Sequence, residues 1–222
     1  MTDAFHIAVF AKAPVPGAVK TRLIPLLGDH AAAQAHRQMT HHALQIATAA
    51  APGHVSLWSG GLHQHEFLRE CHEHFNVFAY PQCDGDIGNR MADCFARLLP
   101  QSRRVLLIGS DCPVLSVTDL RDAAAALDEG ARMVFTPAED GGYVLVGARR
   151  FERLGSADAD TDVAAAFEAI DWSTAAVMNQ TRQALVARGW SAGKQWREMA
   201  QRWDVDTPDD YLRALREGLL LA

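Results

Sequence analysis

Apolar runs alternate with longer helical patterns through most of the chain. Residues 7–11 (IAVFA) form a continuous apolar run, and residues 104–108 (RVLLI) form the clearest second one. Runs of this kind are typical of strands that are buried on both faces of a parallel sheet. Further strands are predicted at residues 54–59, 77–80, 133–136 and 143–146.

Helical patterns separate these strands. A long helix is predicted to open at Gly28-Asp29 and to end near residue 51, where Pro52-Gly53 stops it. Other helices are predicted at residues 65–75, 89–99, 117–128, 174–188 and from 207 onward. Because strands and helices alternate as far as residue 146, we predict βαβ units around a sheet. The expected fold is α/β: one three-layer α/β/α domain over residues 1–222 with a mainly parallel, mixed central sheet.

Composition narrows the class of protein. A chain of 222 residues, 49% hydrophobic and 22% charged, is ordinary for a globular protein. The formal net charge of −6 argues against a protein that mainly coats nucleic acid. No apolar run approaches the ~20 residues of a membrane helix, and the N-terminal residues lack the pattern of a secretory signal. We therefore expect a cytoplasmic protein without nucleic-acid or membrane partners; composition leaves the oligomeric state open.

Cysteines and histidines could supply other chemistry. The cysteines form no C-x-x-C pair, so free thiols in a reducing compartment fit best. The pairs His63-x-His65 and His72-x-His74 could serve a zinc site, but Cys and Asp partners at tight spacing are missing. We expect these four histidines to be mostly exposed and free of metal.

A loop rich in glycine, proline and cations follows the first predicted strand, in residues 10–23 (FAKAPVPGAVKTRL). Gly17 allows the backbone to approach a ligand closely, and Lys20 and Arg22 supply two nearby cations. Such a loop suits a polyphosphate. It is not a Walker A loop, because Val19 stands where that motif requires glycine, and no G-x-G-x-x-G occurs. A basic surface loop is the alternative interpretation.

Two later loops carry carboxylates. Asp111, in GSDCP, follows the strand at 104–108, where its oxygens could bind Mg²⁺ or Mn²⁺ or could instead cap a helix. Asp206, in WDVDTPDDY, is predicted to end a short strand, whereas Asp209 and Asp210 fit the first turn of a helix. Ligands of open α/β sheets bind beyond the carboxyl ends of strands. We therefore predict that Lys20, Asp111 and Asp206 converge on one cleft.

Taken together, these loops resemble the nucleotide-diphospho-sugar transferase superfamily, which includes nucleotidylyltransferases and glycosyltransferases of the A-type fold. A more detailed resemblance is to a branch called radical-SAM/selenodomain-associated transferase. GDIGNRM (85–91), PAEDGGYVLVG (137–147) and IDWST (170–174) are also similar to that branch. The similarity runs from about residue 10 to about residue 211.

The resemblance implies roles for particular residues. Lys20 and Arg22 would grip nucleotide phosphates, and Asp111 and Asp206 would hold Mg²⁺ or Mn²⁺. Asp140 is a candidate base that contacts the acceptor, although its EDGG segment could simply form a tight turn. Further nucleotide contacts are implied at Ala11, Lys12, Gly17, Gly88 and Arg90.

The resemblance also implies the reaction class. The donor would be a nucleotide or nucleotide sugar, and a small molecule would accept the nucleotidylyl or glycosyl group. Glycosyltransferases of this fold usually hold the metal with two carboxylates one residue apart, whereas here Ser110 and Cys112 flank Asp111. A regulatory module that binds nucleotide without turnover is the alternative to an enzyme.

Overall fold

The structure, a computed structural model, describes residues 5–61, 64–150 and 161–221. Its strands are β1 (His6–Lys12), β2 (Val55–Gly60), β3 (Phe78–Pro81), β4 (Arg104–Gly109), β5 (Met133–Pro137), β6 (Tyr143–Arg149) and β7 (Trp196–Glu198). Its α-helices are α1 (Ile24–Leu27), α2 (Asp29–Ala50), α3 (Glu66–Phe75), α4 (Ile87–Leu98), α5 (Val117–Asp128), α6 (Thr161–Ala164), α7 (Val177–Ala187) and α8 (Pro208–Arg216). Short 3₁₀ helices span Thr21–Leu23 and Ala165–Phe167.

All of these strands belong to one sheet, in the order β3-β2-β1-β4-β6-β5-β7. β1 pairs in parallel with both β2 and β4, whereas β6 is antiparallel to its neighbours β4 and β5. The predicted mainly parallel, mixed α/β sheet is therefore confirmed. The chain leaves β1 toward β2 on one side and returns to β4 on the other, so strand order reverses between β1 and β4.

Side chains of β1 alternate between two cores, one on each face of the sheet. Ile7 and Val9 pack into the core that α2, α3 and α5 cover. Ala8 and Phe10 pack into the core on the opposite face, which α4 and α7 cover. This two-sided burial explains the unbroken apolar run, because neither face of β1 meets solvent. The three-layer arrangement follows directly from it.

Some predicted elements need correction. No strand precedes Asp206, since the residues from Trp203 to Asp206 are irregular. β7 was not predicted, because three residues with a single buried side chain, Trp196, carry no detectable period. The helix predicted at 174–188 begins three residues later, at Val177. That residues 1–222 form one domain stays a prediction.

The four histidines expected to be exposed differ in burial. His72 and His74 are exposed, as expected. His65 is half-buried and caps α3, because its side chain accepts a hydrogen bond from Phe67 N. His63 lies outside the described residues. That these histidines bind no metal stays a prediction.

Among the described helices, none has both the length and the apolar character that crossing a membrane requires.

We predict that His6 makes the protein acid-sensitive. Burial, with a smaller contribution from His54, lowers the pKa of His6 from 6.5 to about 4. Between these values the unfolded chain holds a proton that the folded protein lacks, so stability falls as pH drops through this window. In the folded protein, the His6 ring hydrogen-bonds to Ser56 Oγ at 2.8 Å. His6→Gln should therefore lose less melting temperature than the parent between about pH 7.5 and about pH 4.5.

His30→Gln is the control, because His30 is exposed on α2. Thermal unfolding of the three proteins at both pH values provides the measurement. An equal loss of melting temperature in the parent and in His6→Gln would show that another group controls the acid response.

Candidate functional site

A cleft opens at the carboxyl ends of β1 and β4, where strand order reverses. Phe10 of β1 lies opposite Gly109 of β4, so the loops that follow both strands begin at the same level of the sheet. The cleft has a volume of about 380 Å³. It is lined by Phe10, Ala11, Lys12, Ala18, Val19, Lys20, Thr21, Arg22, His36, Gln82, Ile87, Arg90, Gly109, Ser110, Asp111 and Asp206. This location is the one at which open α/β sheets bind their ligands.

The Lys20 ammonium occupies the centre of the charged wall. Its Nζ lies 3.2 Å from Asp111 Oδ2 and 2.8 Å from Asp206 Oδ1. The Lys20 side chain is only 9% exposed, compared with 37% for Asp111 and 41% for Asp206. Arg22 adds a longer contact from the surface, with Nη1 3.4 Å from Asp206 Oδ2. The predicted convergence of Lys20, Asp111 and Asp206 is therefore observed.

The charged groups of the cleft shift one another's pKa values. Burial lowers the pKa of Lys20, but the attraction of Asp111 and Asp206 outweighs it and the pKa is raised. Burial raises the pKa of Asp111, but the Lys20 charge outweighs it and the pKa is lowered. Both groups consequently stay charged at neutral pH. The backbone of Lys20 is left-handed, with φ of 46°, a conformation that a non-glycine residue adopts at a cost.

A third carboxylate, that of Asp204, completes the cluster. One oxygen from each of Asp111, Asp204 and Asp206 lies within 4.8 Å of the others. Burial and then repulsion from Asp111, Asp140 and Asp206 raise the pKa of Asp204 to about 7. Asp204 was not predicted from the sequence, although the D-x-D spacing of Asp204 and Asp206 could have indicated a pair of metal-binding carboxylates. It gives two carboxylates one residue apart, on a different loop from Asp111.

Backbone hydrogen bonds hold this acidic segment in place without a strand. Arg202 N donates to Pro137 O at the end of β5 (3.0 Å), and Val205 N donates to Asp111 O (2.9 Å). The Val205 side chain is fully buried. On either side of the buried Val205, Asp206 lines the cleft and Asp204 places a carboxylate oxygen within 4.8 Å of those of Asp111 and Asp206.

Helix capping is done by other residues. Ser116 caps α5 and Thr207 caps α8, each in a reciprocal capping box. Asp210 belongs to the second box, as expected for a first-turn acid. The alternative that Asp111 is a helix cap is therefore wrong, and its side chain is available to the cleft.

His36, on α2, is a cleft residue that sequence analysis missed. Its Nε2 hydrogen-bonds to Lys12 O at 3.0 Å and so ties the first loop to α2. Burial lowers the pKa of His36, so the ring is neutral at physiological pH. A histidine inside a helical pattern gives no sequence signal that it faces a loop 24 residues away.

A second cavity, of about 540 Å³, adjoins the cleft. The two share Phe10, Arg22, Ile87, Gly109 and Asp206 as lining residues. The second cavity is also lined by Met91, Leu107, Asp140, Gly142, Tyr143, Val144, Leu145, Val146, Trp172, Ser173, Thr174, Ala175 and Val177. Asp140 Oδ1 accepts a hydrogen bond from Gly142 N (2.9 Å), so the tight turn exists and its carboxylate still faces the cavity.

Two glycines allow close packing of residues 172–175, which line the second cavity. A Cβ on Gly88, in the first turn of α4, would lie 2.7 Å from the Trp172 indole. Gly141 has φ of 92° and packs directly against the backbone of Ala175. Met178 N donates to Gly141 O at 2.8 Å, which fixes the segment to the 138–142 turn.

Comparison with protein families identifies the chain. A family model described as "Uncharacterized protein conserved in bacteria (DUF2064)" matches residues 30–174, more than half of the sequence. The protein belongs to this family. The matched region includes Asp111, Asp140 and Trp172, whereas Lys20 and Asp206 lie outside it. A search of curated proteins found no match.

Solved structures with the same fold are numerous. One, from Desulfovibrio desulfuricans G20 and provisionally assigned as a nucleotide-diphospho-sugar transferase, has a TM-score of 0.73 and 27% identity, over 93% of this chain and 84% of that one. CMP:2-keto-3-deoxy-manno-octonic acid synthetase complexed with CTP has a TM-score of 0.57 and 13% identity, over 98% and 100%. The Mycobacterium tuberculosis H37Rv protein Rv0371c, in complex with manganese, has a TM-score of 0.54 and 19% identity, over 96% and 98%.

These structures confirm the resemblance of this DUF2064 protein to the nucleotide-diphospho-sugar transferase superfamily in fold. The association with radical-SAM and selenodomain proteins stays a prediction. Of the residues assigned to nucleotide binding, Ala11, Lys12, Lys20, Arg22 and Arg90 line the cleft. Gly17 and Gly88 are not among the described lining residues, and their nucleotide contacts also stay predictions.

We predict that Gly88→Ala destabilises the protein by about 1–3 kcal/mol, because the new methyl group would overlap the Trp172 ring. In a Trp172→Ala background the same change should be neutral or stabilising by up to about 1 kcal/mol, because alanine favours helix more than glycine. Urea unfolding of the double-mutant cycle measures the difference. Equal effects of Gly88→Ala in both backgrounds would mean that the Trp172 contact does not require glycine.

Proposed function

We propose that this protein is a metal-dependent transferase whose donor is a nucleotide or nucleotide sugar. The observation that carries the proposal is the convergence of Lys20, Asp111 and Asp206 in one cleft beyond β1 and β4, with the Asp204 carboxylate within 4.8 Å of those of Asp111 and Asp206. Lys12 and Arg90 line the same cleft. A concave site that combines several cations with clustered carboxylates suits a polyphosphate bound together with a divalent cation.

Structures of the same fold support the ligand classes. The CMP-sugar synthetase holds CTP, the Mycobacterium tuberculosis protein holds manganese, and the Desulfovibrio protein is assigned to nucleotide-diphospho-sugar transfer. The donor set in this chain fits Mg²⁺ or Mn²⁺, because its ligands are carboxylate oxygens and no described sulfur or imidazole joins the cluster. The Lys20 ammonium between Asp111 and Asp206 marks a position where a cation is already favourable.

The chain's own groups would then serve phosphate chemistry. When bound, the divalent ion would neutralise negative charge on the phosphate oxygens of the donor. Lys20 and Arg22 would bind those oxygens and stabilise the charge that accumulates on the leaving group. Asp140, which lines the second cavity, would accept the proton of an acceptor hydroxyl.

Two reactions share these requirements and differ in the leaving group. Nucleotidylyl transfer releases pyrophosphate, whereas glycosyl transfer releases a nucleoside diphosphate. Incubation with nucleoside triphosphates and with nucleotide sugars, followed by detection of each released product, distinguishes them. A module that only binds nucleotide would release neither.

We predict that Asp111→Asn abolishes metal-dependent nucleotide binding while leaving the melting temperature close to that of the parent. Asparagine loses the charge that a divalent cation requires, but the Lys20 ammonium keeps its 2.8 Å contact with Asp206. Thermal shift with Mn²⁺ and a panel of nucleotides measures both effects. Asp209→Asn, at an exposed residue on α8, is the matched control. If Asp111→Asn is stabilised by nucleotide and Mn²⁺ as strongly as the parent, Asp111 is not a metal ligand.

We also predict that Lys20→Met separates metal binding from nucleotide binding. Without the ammonium, Asp111 and Asp206 repel each other, so the metal-free protein should lose about 1–3 kcal/mol of unfolding free energy. Mn²⁺ alone should then stabilise the variant more than the parent, since no cation competes for the carboxylates. Nucleotide should add less stability, because a phosphate ligand is missing.

Melting temperatures in chelator, in Mn²⁺ and in Mn²⁺ plus nucleotide test these three effects. Lys194→Met, at an exposed lysine, controls for loss of a positive charge. Unchanged responses to Mn²⁺ and to nucleotide in Lys20→Met would contradict both assignments of Lys20.

A further inference from the structure

The cleft beyond β1 and β4, in which we propose that the nucleotide binds, is called the nucleotide cleft below. The second cavity meets it at the point where the proposed transfer would occur. Arg22, Gly109 and Asp206 are among the residues that line both spaces. A molecule in the second cavity would therefore reach the reacting end of a donor held beside Lys20 and Asp111. The volume of the second cavity, about 540 Å³, is within the range of sites for small organic molecules.

The two spaces differ in charge. The nucleotide cleft is lined by four cationic side chains, those of Lys12, Lys20, Arg22 and Arg90, against two carboxylates, those of Asp111 and Asp206. Among the described residues that line the second cavity, Arg22 is the only cation, and its guanidinium already contacts Asp206 at 3.4 Å. Asp140 and Asp206 face the same cavity as acids. An anionic acceptor would meet more repulsion than attraction there.

The walls of the second cavity favour a molecule with an apolar face. Met91, Leu107 and Val146 contribute aliphatic surface, and Trp172 is a half-buried aromatic wall. The Trp172 ring is held in position by Gly88 on one side and by an edge contact with Tyr143, at 6.4 Å between centroids. Gln180 fixes the preceding residue, since its Nε2 donates to Asp171 Oδ2 at 2.7 Å. The wall is therefore preformed.

We propose that the second cavity binds an uncharged acceptor, which carries no phosphate or carboxylate, stacks an apolar face on Trp172 and presents a hydroxyl to Asp140. This inference rests on the proposed function and narrows it to transfer onto a neutral alcohol. The hydroxyl oxygen forms the new bond to the transferred group, and its proton passes to the Asp140 carboxylate. The broken bond's electron pair leaves with the nucleoside diphosphate or the pyrophosphate of the donor.

Two probes that share a phenyl ring but differ in charge test the proposal on the full chain. Phenyl β-D-glucopyranoside is neutral and has free hydroxyls, whereas phenyl phosphate is anionic. Ligand-observed NMR measures binding of the glucoside to the parent, Trp172→Phe and Trp172→Ala, and phenyl phosphate serves as the competitor. Unfolding curves of each variant verify that it is folded.

We expect the glucoside to bind the parent, to bind Trp172→Phe within about threefold of the parent, and to bind Trp172→Ala at least about tenfold more weakly. Phenyl phosphate should fail to displace it. Displacement by phenyl phosphate at equal or lower concentration would overturn the charge argument, and this comparison needs only the parent protein. No binding of the glucoside, or equal binding by Trp172→Ala, would overturn the role of the cavity.

Failure of this inference is distinguishable from failure of the proposed function. Stabilisation by nucleotide and Mn²⁺ is measured on the same samples, and Trp172→Ala should retain it, because Trp172 does not line the nucleotide cleft. If nucleotide stabilisation depends on Asp111 but the glucoside does not bind, the acceptor inference is wrong and the donor assignment stands. If the glucoside binds through Trp172 but no nucleotide stabilises the protein, the transferase proposal is wrong and the cavity's preference stands.

Discussion

The contact of the Lys20 ammonium with Asp111 and Asp206 is the interaction on which the site depends. Three carboxylates within 4.8 Å of one another would repel strongly in a partly buried cleft. The ammonium neutralises part of that repulsion; at Asp204, burial first and then repulsion from the neighbouring carboxylates raise the pKa to about 7. Residues from the first and last quarters of the chain can share a cleft because their charges compensate. The left-handed backbone at Lys20 is a local cost of bringing the ammonium to this position.

Topology brings these charges together. Because β1 and β4 are parallel neighbours and are in register at Phe10 and Gly109, the loops after them open on the same side of the sheet. The segment ending at Asp206 then attaches to Asp111 through the hydrogen bond from Val205 N. The antiparallel strand β6 has a separate consequence. It begins at Tyr143, beside the same edge, so the turn that carries Asp140 borders the second cavity rather than lying at the opposite edge of the sheet.

Much of the fold could be predicted from local pattern, and the site only in part. β1 and β4 are unbroken apolar runs because both faces are covered, and α5 has the bounds that its period indicates. Lys20 was identifiable from its loop of glycine, proline and cations, and Asp111 from its position directly after β4. Asp206 was selected as the end of a short strand that the structure does not contain. Asp204 was missed although its D-x-D spacing with Asp206 is visible in the sequence, because only the fold brings this segment to Asp111, through the hydrogen bond from Val205 N. His36 gave no sequence signal, because its contact with Lys12 O depends on the packing of α2 against the first loop.

The cleft and the second cavity differ in the charges that line them, and this difference would keep the two proposed substrates in separate places. A donor with several phosphate charges requires the cations that Lys12, Lys20 and Arg90 concentrate on one side. If the acceptor were equally anionic, the same cations would attract it into the donor's place, and the two substrates would compete. A neutral acceptor with an apolar face would avoid this competition, because burial of its apolar surface against Trp172 would favour it and would not favour a phosphate. Arg22 and Asp206, which line both spaces, then lie where the two substrates would meet.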